Sequence, residues 1–458
     1  VDTNQVDPKT LRSRALAWAW WDWGSAAFNA VVTTFIFSTY LASNLFVDPN
    51  IVAAAGEEGS SALTKALADN AAIVAWAIAI AGVLVALIAP IVGQRSDGGG
   101  RRKFWMAVNT FIVVATMAAM FFVTPVPEYI WVGAGLLAAG NLFFEFAGVN
   151  YNAMLHQVST KENMGRVSGF GWGMGYVGGI VLLALLMVLF IFPIGGGHGV
   201  LGMPFGVEGG ALDVRVAVLF SAVWFLVFAL PVLFKVPELP VDPSRKRVGV
   251  IQSYVVLGKT IWRIGRTAPK TLLFLIASAV FRDGLSGVFT FGAIIAAQVF
   301  GFSSTEVILF AIAANVTAGI GTFVGGWADD RLGPKPVIMV SLFALAVSGM
   351  GVLFIDTKNM FWVFGLALAT FVGPVQSASR SFMARITPDG REGEMFGLYA
   401  TTGRSVSFLT ATLFGVFVTM MGDTRYGILG IVIVLVAGLL LMIPVNAKPV
   451  HIEDPDAR

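Results

Sequence analysis

The sequence predicts an all-α polytopic membrane protein, with twelve transmembrane helices in two pseudo-symmetric six-helix bundles. Three observations carry that expectation. Hydrophobic residues fill 57% of 458 positions and charged residues only 12%, about half the charge of a typical soluble domain. Twelve apolar runs are long enough to cross a bilayer, which takes roughly 20 helical residues. Finally, a polar turn occurs twice: Gly93-Gln-Arg95-Ser-Asp97-Gly-Gly-Gly-Arg101-Arg102-Lys103 and, 232 positions on from Asp97 to Asp329, Gly325-Gly326-Trp327-Ala-Asp329-Asp330-Arg331-Leu-Gly333-Pro334-Lys335. A charged hinge duplicated between hydrophobic helices implies tandem bundles, a common plan among secondary transporters.

In chain order the runs lie near 14–46, 70–94, 103–124, 128–156, 164–193, 212–235, 269–300, 305–328, 336–355, 359–385, 393–420 and 424–446; they are called spans 1 to 12 below. Their length and lack of sustained alternation favour helices over a barrel. Five segments follow: 1–13 as an N-terminal segment, 14–235 as the first bundle, 236–268 as a linker, 269–446 as the second bundle and 447–458 as a tail. The N-terminal residues lack the order of a cleaved signal peptide, so span 1 is expected to insert uncleaved.

Span 1 opens on Trp18, Trp20, Trp21 and Trp23, expected chiefly as interfacial anchors. In span 5, Gly173-Met-Gly175-Tyr-Val-Gly178 fits a dinucleotide pattern literally, but no strand precedes it. The four-residue ladder of glycines there reads instead as close helix packing. The linker begins VPELPVDPSRKR, a proline-rich tether, and then places Ile251, Tyr254, Val255, Ile261 and Trp262 near one helical face beside Lys259, Arg263 and Arg266. That stretch reads as an amphipathic helix on the inner leaflet.

Lys and Arg set the orientation. With the N-terminus inside, 23 of the 30 basic residues fall on cytoplasmic segments and four, Lys65, Arg215, Lys358 and Arg425, on the other side. Both termini are therefore expected in the cytoplasm. The same distribution explains the net charge of +3 without nucleic acid. The absence of cysteine excludes disulfides, thiolate metal sites and cysteine nucleophiles. His156, at a helix end, and His198, in a Gly-rich outer loop, have no partner at metal-ligand spacing, so no metal or cofactor is expected.

The repeat extends beyond the turns. Trp21-Asp22-Trp23-Gly24 in span 1 is echoed by Phe281-Arg282-Asp283-Gly284 in span 7. Asn152-Ala-Met154-Leu-His156, ahead of Ser168-Gly169, is echoed by Ser381-Phe-Met383-Ala-Arg385, ahead of Phe396-Gly397.

These stretches also carry a family resemblance. WWDWGSAAFNAVVTTFIFSTYL, YNAML with GRVSGFGWGMGYVGG, FRDG and GPVQSASRSFMARITPDGREGEMFGLY resemble the branch of the major facilitator superfamily that contains the autophagy-related vacuole effluxers and their bacterial relatives. The resemblance covers about 15–445. It implies the major facilitator fold, alternating access, a cavity lined by spans 1, 4, 7 and 10, and a branch whose eukaryotic members are associated with amino-acid efflux. The first turn departs from the usual pattern, with Gly98-Gly99-Gly100 where a basic residue is common after the Asp.

Ionisable residues at lipid depth cost several kcal/mol by some scales and mark function. Six qualify: Asp22, Glu145, Arg282, Asp283, Arg380 and Arg404. A zwitterion needs a cation for its carboxylate and an acceptor for its ammonium. Arg282 offers the two-pronged donor, Asp283 or Glu145 the acceptor, and Asn141, Asn150, Asn152 and Gln376 neutral hydrogen bonds. Neighbours on a helix point about 100° apart, so Arg282 and Asp283 cannot both face the cavity centre. Glu145 is the first candidate for proton coupling, with Asp22 as the second. Asp22 and Arg380, nearer the cytoplasm, fit a gate as well as a binding site. The duplicated turns read as a latch: Gly93, Asp97 and Arg101 in one half, Gly325, Asp329 and Arg331 in the other, with an Asp near the positive end of a facing helix.

The expected function is secondary transport of an amino acid or similar small zwitterion, proton-linked, by a monomer in a bacterial cell membrane. An exporter of apolar drugs or metabolites is the alternative within transport. A lipid scramblase or membrane enzyme is the alternative outside it, though no nucleophile–base pair or metal motif favours an enzyme and no nucleotide-binding loop favours an ATP-driven pump.

Overall fold

The computed structural model describes residues 6–55, 61–98, 101–194, 197–238, 250–302 and 304–446. Among these, twelve helices are long and apolar enough to cross a membrane: Pro8–Leu41, Ser61–Asp97, Arg102–Met120, Pro127–Ala153, Met164–Ile191, Leu212–Lys235, Pro269–Gln298, Leu309–Leu332, Pro334–Leu353, Lys358–Ile386, Glu392–Met421 and Thr424–Met442. Span 1 starts earlier than its apolar run because Asp7 caps it, accepting from the Thr10 N–H at 3.1 Å with Pro8 at the first helical position. Beyond Ala26 it relaxes into a wider π turn over Ala27–Phe35 and then resumes as Phe37–Leu41, the kind of irregularity that helices carry at functional sites.

Spans 1 to 6 pack as one bundle, with span 1 against 5 and 6, span 4 against 2 and 3, and span 3 against 6. Spans 7 to 12 form the second, with span 10 against 8 and 9, and span 12 against 7, 9 and 11. Between bundles the extensive packing is of span 2 on span 11 and of span 5 on span 8. Large apolar side chains such as Trp76, Trp131, Phe234 and Val363 face outward, as lipid requires.

Glycine permits the crossings. A Cβ on Gly93 would overlap the Gly393 carbonyl, and one on Gly397 would come 2.6 Å from Pro90 Cα. In the other pair a Cβ on Gly169 would lie 2.9 Å from Gly326 Cα. Small residues let backbones approach where lipid offers no hydrophobic drive. The span 5 ladder serves this packing.

Two features depart from the expected elements. Span 11, a continuous run in the sequence, is two helices, Glu392–Ser405 and Leu409–Met421, with a turn between them. Trp18 and Trp21 are buried, each stacked on Tyr151 with ring centroids 4.4 and 4.3 Å away; they build the bundle interior instead of its rim. His198 lies 2.8 Å from Asp213 and stacks on Phe205 in the loop after span 5.

Val250–Thr267 is helical. Ser253, Thr260 and Ile264 are buried, while Val255 and Trp262 point outward with Arg266 over the Trp262 ring. The prolines of the linker at 239–249 and the tail at 447–458 lie outside the described residues.

Candidate functional site: a closed gate below an open cleft

Both polar turns lie at one end of the molecule, where the bundles meet. Asp97 accepts from the backbone N–H groups of Gly393 at 2.9 Å and Glu394 at 2.8 Å, the first turn of span 11. Asp330 accepts from the backbone N–H groups of Gly165 at 2.7 Å and Arg166 at 3.2 Å, the first turn of span 5. Each carboxylate thus occupies the positive end of a helix in the opposite bundle and satisfies donors that helix cannot pair itself.

The expected partners shift by one position. In the second turn Asp330, not Asp329, reaches the facing helix, so the matching glycine is Gly326; Gly325 packs against Pro374 of its own bundle. Asp329 instead accepts from Ser381 and, at 3.0 Å, from Arg385. In the first turn Arg101 is exposed, whereas Arg102 is buried and pairs with Asp97 and, at 3.0 Å across the bundles, with Glu392. Arg331 is exposed over the Trp327 ring at 3.9 Å. The cause is helical phase: a one-residue step turns a side chain by about 100°.

Deeper in, Arg380 of span 10 crosses into the first bundle. Its guanidinium donates to Ser168 Oγ at 3.0 Å, the Ser168 carbonyl at 2.5 Å, Asp22 at 3.2 Å and Asn152 at 3.4 Å. Asp22 also accepts from the Tyr151 hydroxyl at 2.8 Å.

One level further from the turns, Glu145 of span 4 pairs with Arg404 of span 11, and Asn141 lies 3.4 Å from the same guanidinium. Glu145 and Arg404 are each 27% exposed, although both sit at lipid depth. Polar residues of the facing spans are exposed there too: Asn29 and Thr34 on span 1, Ser286 and Thr290 on span 7, Ser405 and Ser407 at the span 11 break. Polar groups exposed at that depth mark a water-filled cleft. The bundles are joined at the turns, and these exposed polar groups lie on the far side of that junction.

Arg282 and Asp283 diverge as their spacing requires. Arg282 lies 4.0 Å over the Tyr399 ring and donates to the Tyr399 carbonyl at 3.1 Å. Asp283 turns into its own bundle, where it accepts from the Thr410 N–H and hydroxyl, both at 2.6 Å. It thereby caps the second half of span 11. Gln376 accepts from Tyr176 of span 5 at 3.0 Å. Asn150 is fully buried and donates to the Phe146 carbonyl of its own helix. Three groups of site residues are thus brought together, Glu145, Asn141 and Arg404, then Asp22, Asn152 and Arg380, then the turns, while Arg282, Asp283, Gln376 and Asn150 join none of them.

Arg404 stands out from the sequence as an intramembrane cation, but neither the break after it nor its pairing was legible there. The polar, small stretch Gly403-Arg-Ser-Val-Ser407 is the available signal.

Comparison with known proteins agrees with this architecture. Residues 155–451 match the family described as vacuole effluxer Atg22 like. The chain is 25% identical over 435 residues to the Bacillus subtilis uncharacterized MFS-type transporter YxiO, covering 95% of both chains. It is also 25% identical over 307 residues to the autophagy-related protein 22 of Cryptococcus neoformans, covering 62% of this chain and 53% of that protein. In fold it is similar to the proton:xylose symporter XylE (TM-score 0.71, 13% identity, 95% of this chain and 96% of that one). It is also similar to FucP in its outward conformation (TM-score 0.62, 13% identity, 94% and 97%). The chain belongs to the vacuole effluxer Atg22-like family of major facilitator superfamily transporters.

Proposed function

We propose that this secondary transporter carries an amino acid or similar small zwitterion by alternating access, coupled to protons. The observation that supports this reading is the Glu145–Arg404 pair: opposite charges from opposite bundles, water-accessible at the floor of the open cleft. A zwitterion presents the same two charges. Its carboxylate would take the guanidinium of Arg404, with Arg282 beside Gly403 as a second cation, and its ammonium would take Glu145. Asn141 and Gln376 would add neutral hydrogen bonds, whereas Asp283 and Asn150 act behind the surface by holding spans 11 and 4, and Asn152 holds Arg380 of span 10 while the gate is closed.

Proton coupling follows from the same pair. Protonating Glu145 removes the charge that holds Arg404 and frees the cation for substrate. We place the turns in the cytoplasm on the excess of Lys and Arg there, so the open cleft faces outward. A bacterial cell membrane and a monomer complete the reading.

The test is uptake of labelled amino acids by proteoliposomes, with and without a pH gradient. Saturable, gradient-stimulated uptake of a leucine- or tyrosine-like substrate, lost in Arg404→Ala and Arg282→Ala, is expected. Uptake that survives both substitutions, or no amino-acid uptake at all, would overturn the substrate assignment.

A further inference from the structure

The Arg380 side chain fills a receptor it does not belong to. Every group that holds it comes from the first bundle: Asp22 Oδ2, Asn152 Oδ1, Ser168 Oγ and the Ser168 carbonyl. Three rings enclose the guanidinium carbon, at 4.8 Å from the centroid of Trp18, 5.7 Å from Tyr151 and 5.5 Å from Trp172. Four oxygen acceptors and three ring faces form a host for an organic cation. Gly171 supplies its floor: a Cβ there would lie 2.7 Å from Trp18, 2.9 Å from Arg380 and 2.9 Å from Asp22. The indole Nε1 of Trp172 is buried with no hydrogen-bond partner.

Opening the turns would separate spans 5 and 10 and withdraw Arg380. The box would then hold a desolvated, unpaired carboxylate, which costs several kcal/mol unless another cation replaces the lost one. Asn152 of the box lies seven residues, about two turns, along span 4 from Glu145 toward the turns. We propose that Arg380 is a tethered stand-in, and that the box of Trp18, Asp22, Tyr151, Asn152, Ser168 and Trp172 binds the ammonium or guanidinium group of the transported solute once the gate opens. This deepens the zwitterion reading by assigning the cationic end of the solute a second station.

The test uses simple cations, so that it stands apart from amino-acid transport. Arg380→Gln, in lipid nanodiscs and checked by circular dichroism and size exclusion, is titrated by calorimetry with methylguanidinium and n-butylammonium, with butyrate as the anionic control. Binding of the cations at least tenfold tighter than to the unsubstituted protein is expected, with none of butyrate. Trp172→Ala in the Arg380→Gln background should weaken binding about fivefold, and Asp22→Asn should abolish it. Should Arg380→Gln fail to fold, the same titration is made on Gly93→Ala, in which backbone overlap keeps the gate from closing. Absence of cation binding in a folded variant, or binding indifferent to Asp22→Asn, overturns the proposal. So does a proton in place of the cation, seen as proton uptake by the variant that Asp22→Asn removes while neither probe binds. Amino-acid uptake in the unsubstituted protein can fail or succeed independently of these results.

Discussion

Asp330 accepts from the backbone N–H of Gly165 at 2.7 Å, and this contact is the counterpart in the second bundle of Asp97 on Gly393. In each case the carboxylate ends one bundle's second helix and caps the fifth helix of the other. Two copies of one interaction, related by the pseudo-twofold axis, therefore hold the closed end. Both must break for the turns to part, which makes the charge of each Asp a determinant of the conformational equilibrium.

Removing one charge should shift that equilibrium measurably. A carboxylate at a helix N-terminus contributes about 0.3–1 kcal/mol at a surface and up to about 2 in partly buried sites. Asp97→Asn and Asp330→Asn should each raise the turn-side-open population about tenfold, and the double variant further. The chain has no cysteine, so a single Thr387→Cys, buried at the closed end, reports opening by its rate of thiol labelling. Equal labelling in variant and parent would show that the latch carries no conformational energy.

Glycine at the crossings gives a steric version of the same test. Gly93→Ala would drive its methyl group into the Gly393 carbonyl, backbone that cannot rotate away. Overpacking of this kind costs roughly 1–3 kcal/mol, charged here to the closed state alone. Fast labelling of Thr387→Cys and an intact unfolding transition are expected. Gly135→Ala and Gly148→Ala, whose added methyl would meet nothing within 4 Å, should label like the parent.

The reach of the sequence is uneven for a physical reason. Hydropathy over roughly 20 residues is set by the bilayer, so all twelve spans and their two-bundle order were legible. The repeated turns read as a latch, but not whether that latch is closed. Helical phase and cross-bundle partners are not encoded in local pattern. Asp329 and Asp330 look equivalent in a string, as do Arg101 and Arg102, yet only one of each pair faces the other bundle. The break in span 11 has only a weak local signal, the polar and small stretch Gly403–Ser407, because polar residues are equally compatible with one continuous helix facing a cavity. What exposes it is a contact from span 7, where Asp283 caps the second half-helix.

Glu145 offers a functional separation. Glu145→Gln keeps the shape of the side chain and removes its charge, so Arg404 is left free in both states. Because Glu145 is proposed both to take the ammonium and to carry the proton, gradient-driven uptake should fall at least tenfold and exchange of internal for external substrate without a gradient should fall with it. Proteoliposome uptake and counterflow measured on one preparation check this. Retained exchange with lost gradient-driven uptake would assign Glu145 to proton coupling alone, and loss of neither would remove it from the mechanism.

His156 provides a pH test outside the membrane spans. Burial holds its imidazole below the ordinary value of 6.5, with Glu392 and Asp389 opposing that shift and Arg102 adding to it. The closed state therefore favours the neutral ring, while the unfolded chain takes up a proton near 6.5. Its stabilisation is fully present above that pH and is lost as pH falls through the depressed value of the folded protein, because the unfolded state then binds more protons. The thermal midpoint of the parent should fall between pH 7 and pH 5 by more than that of His156→Gln, whose neutral amide has no proton to gain. Parallel midpoint curves for the two proteins would mean that His156 does not titrate on unfolding.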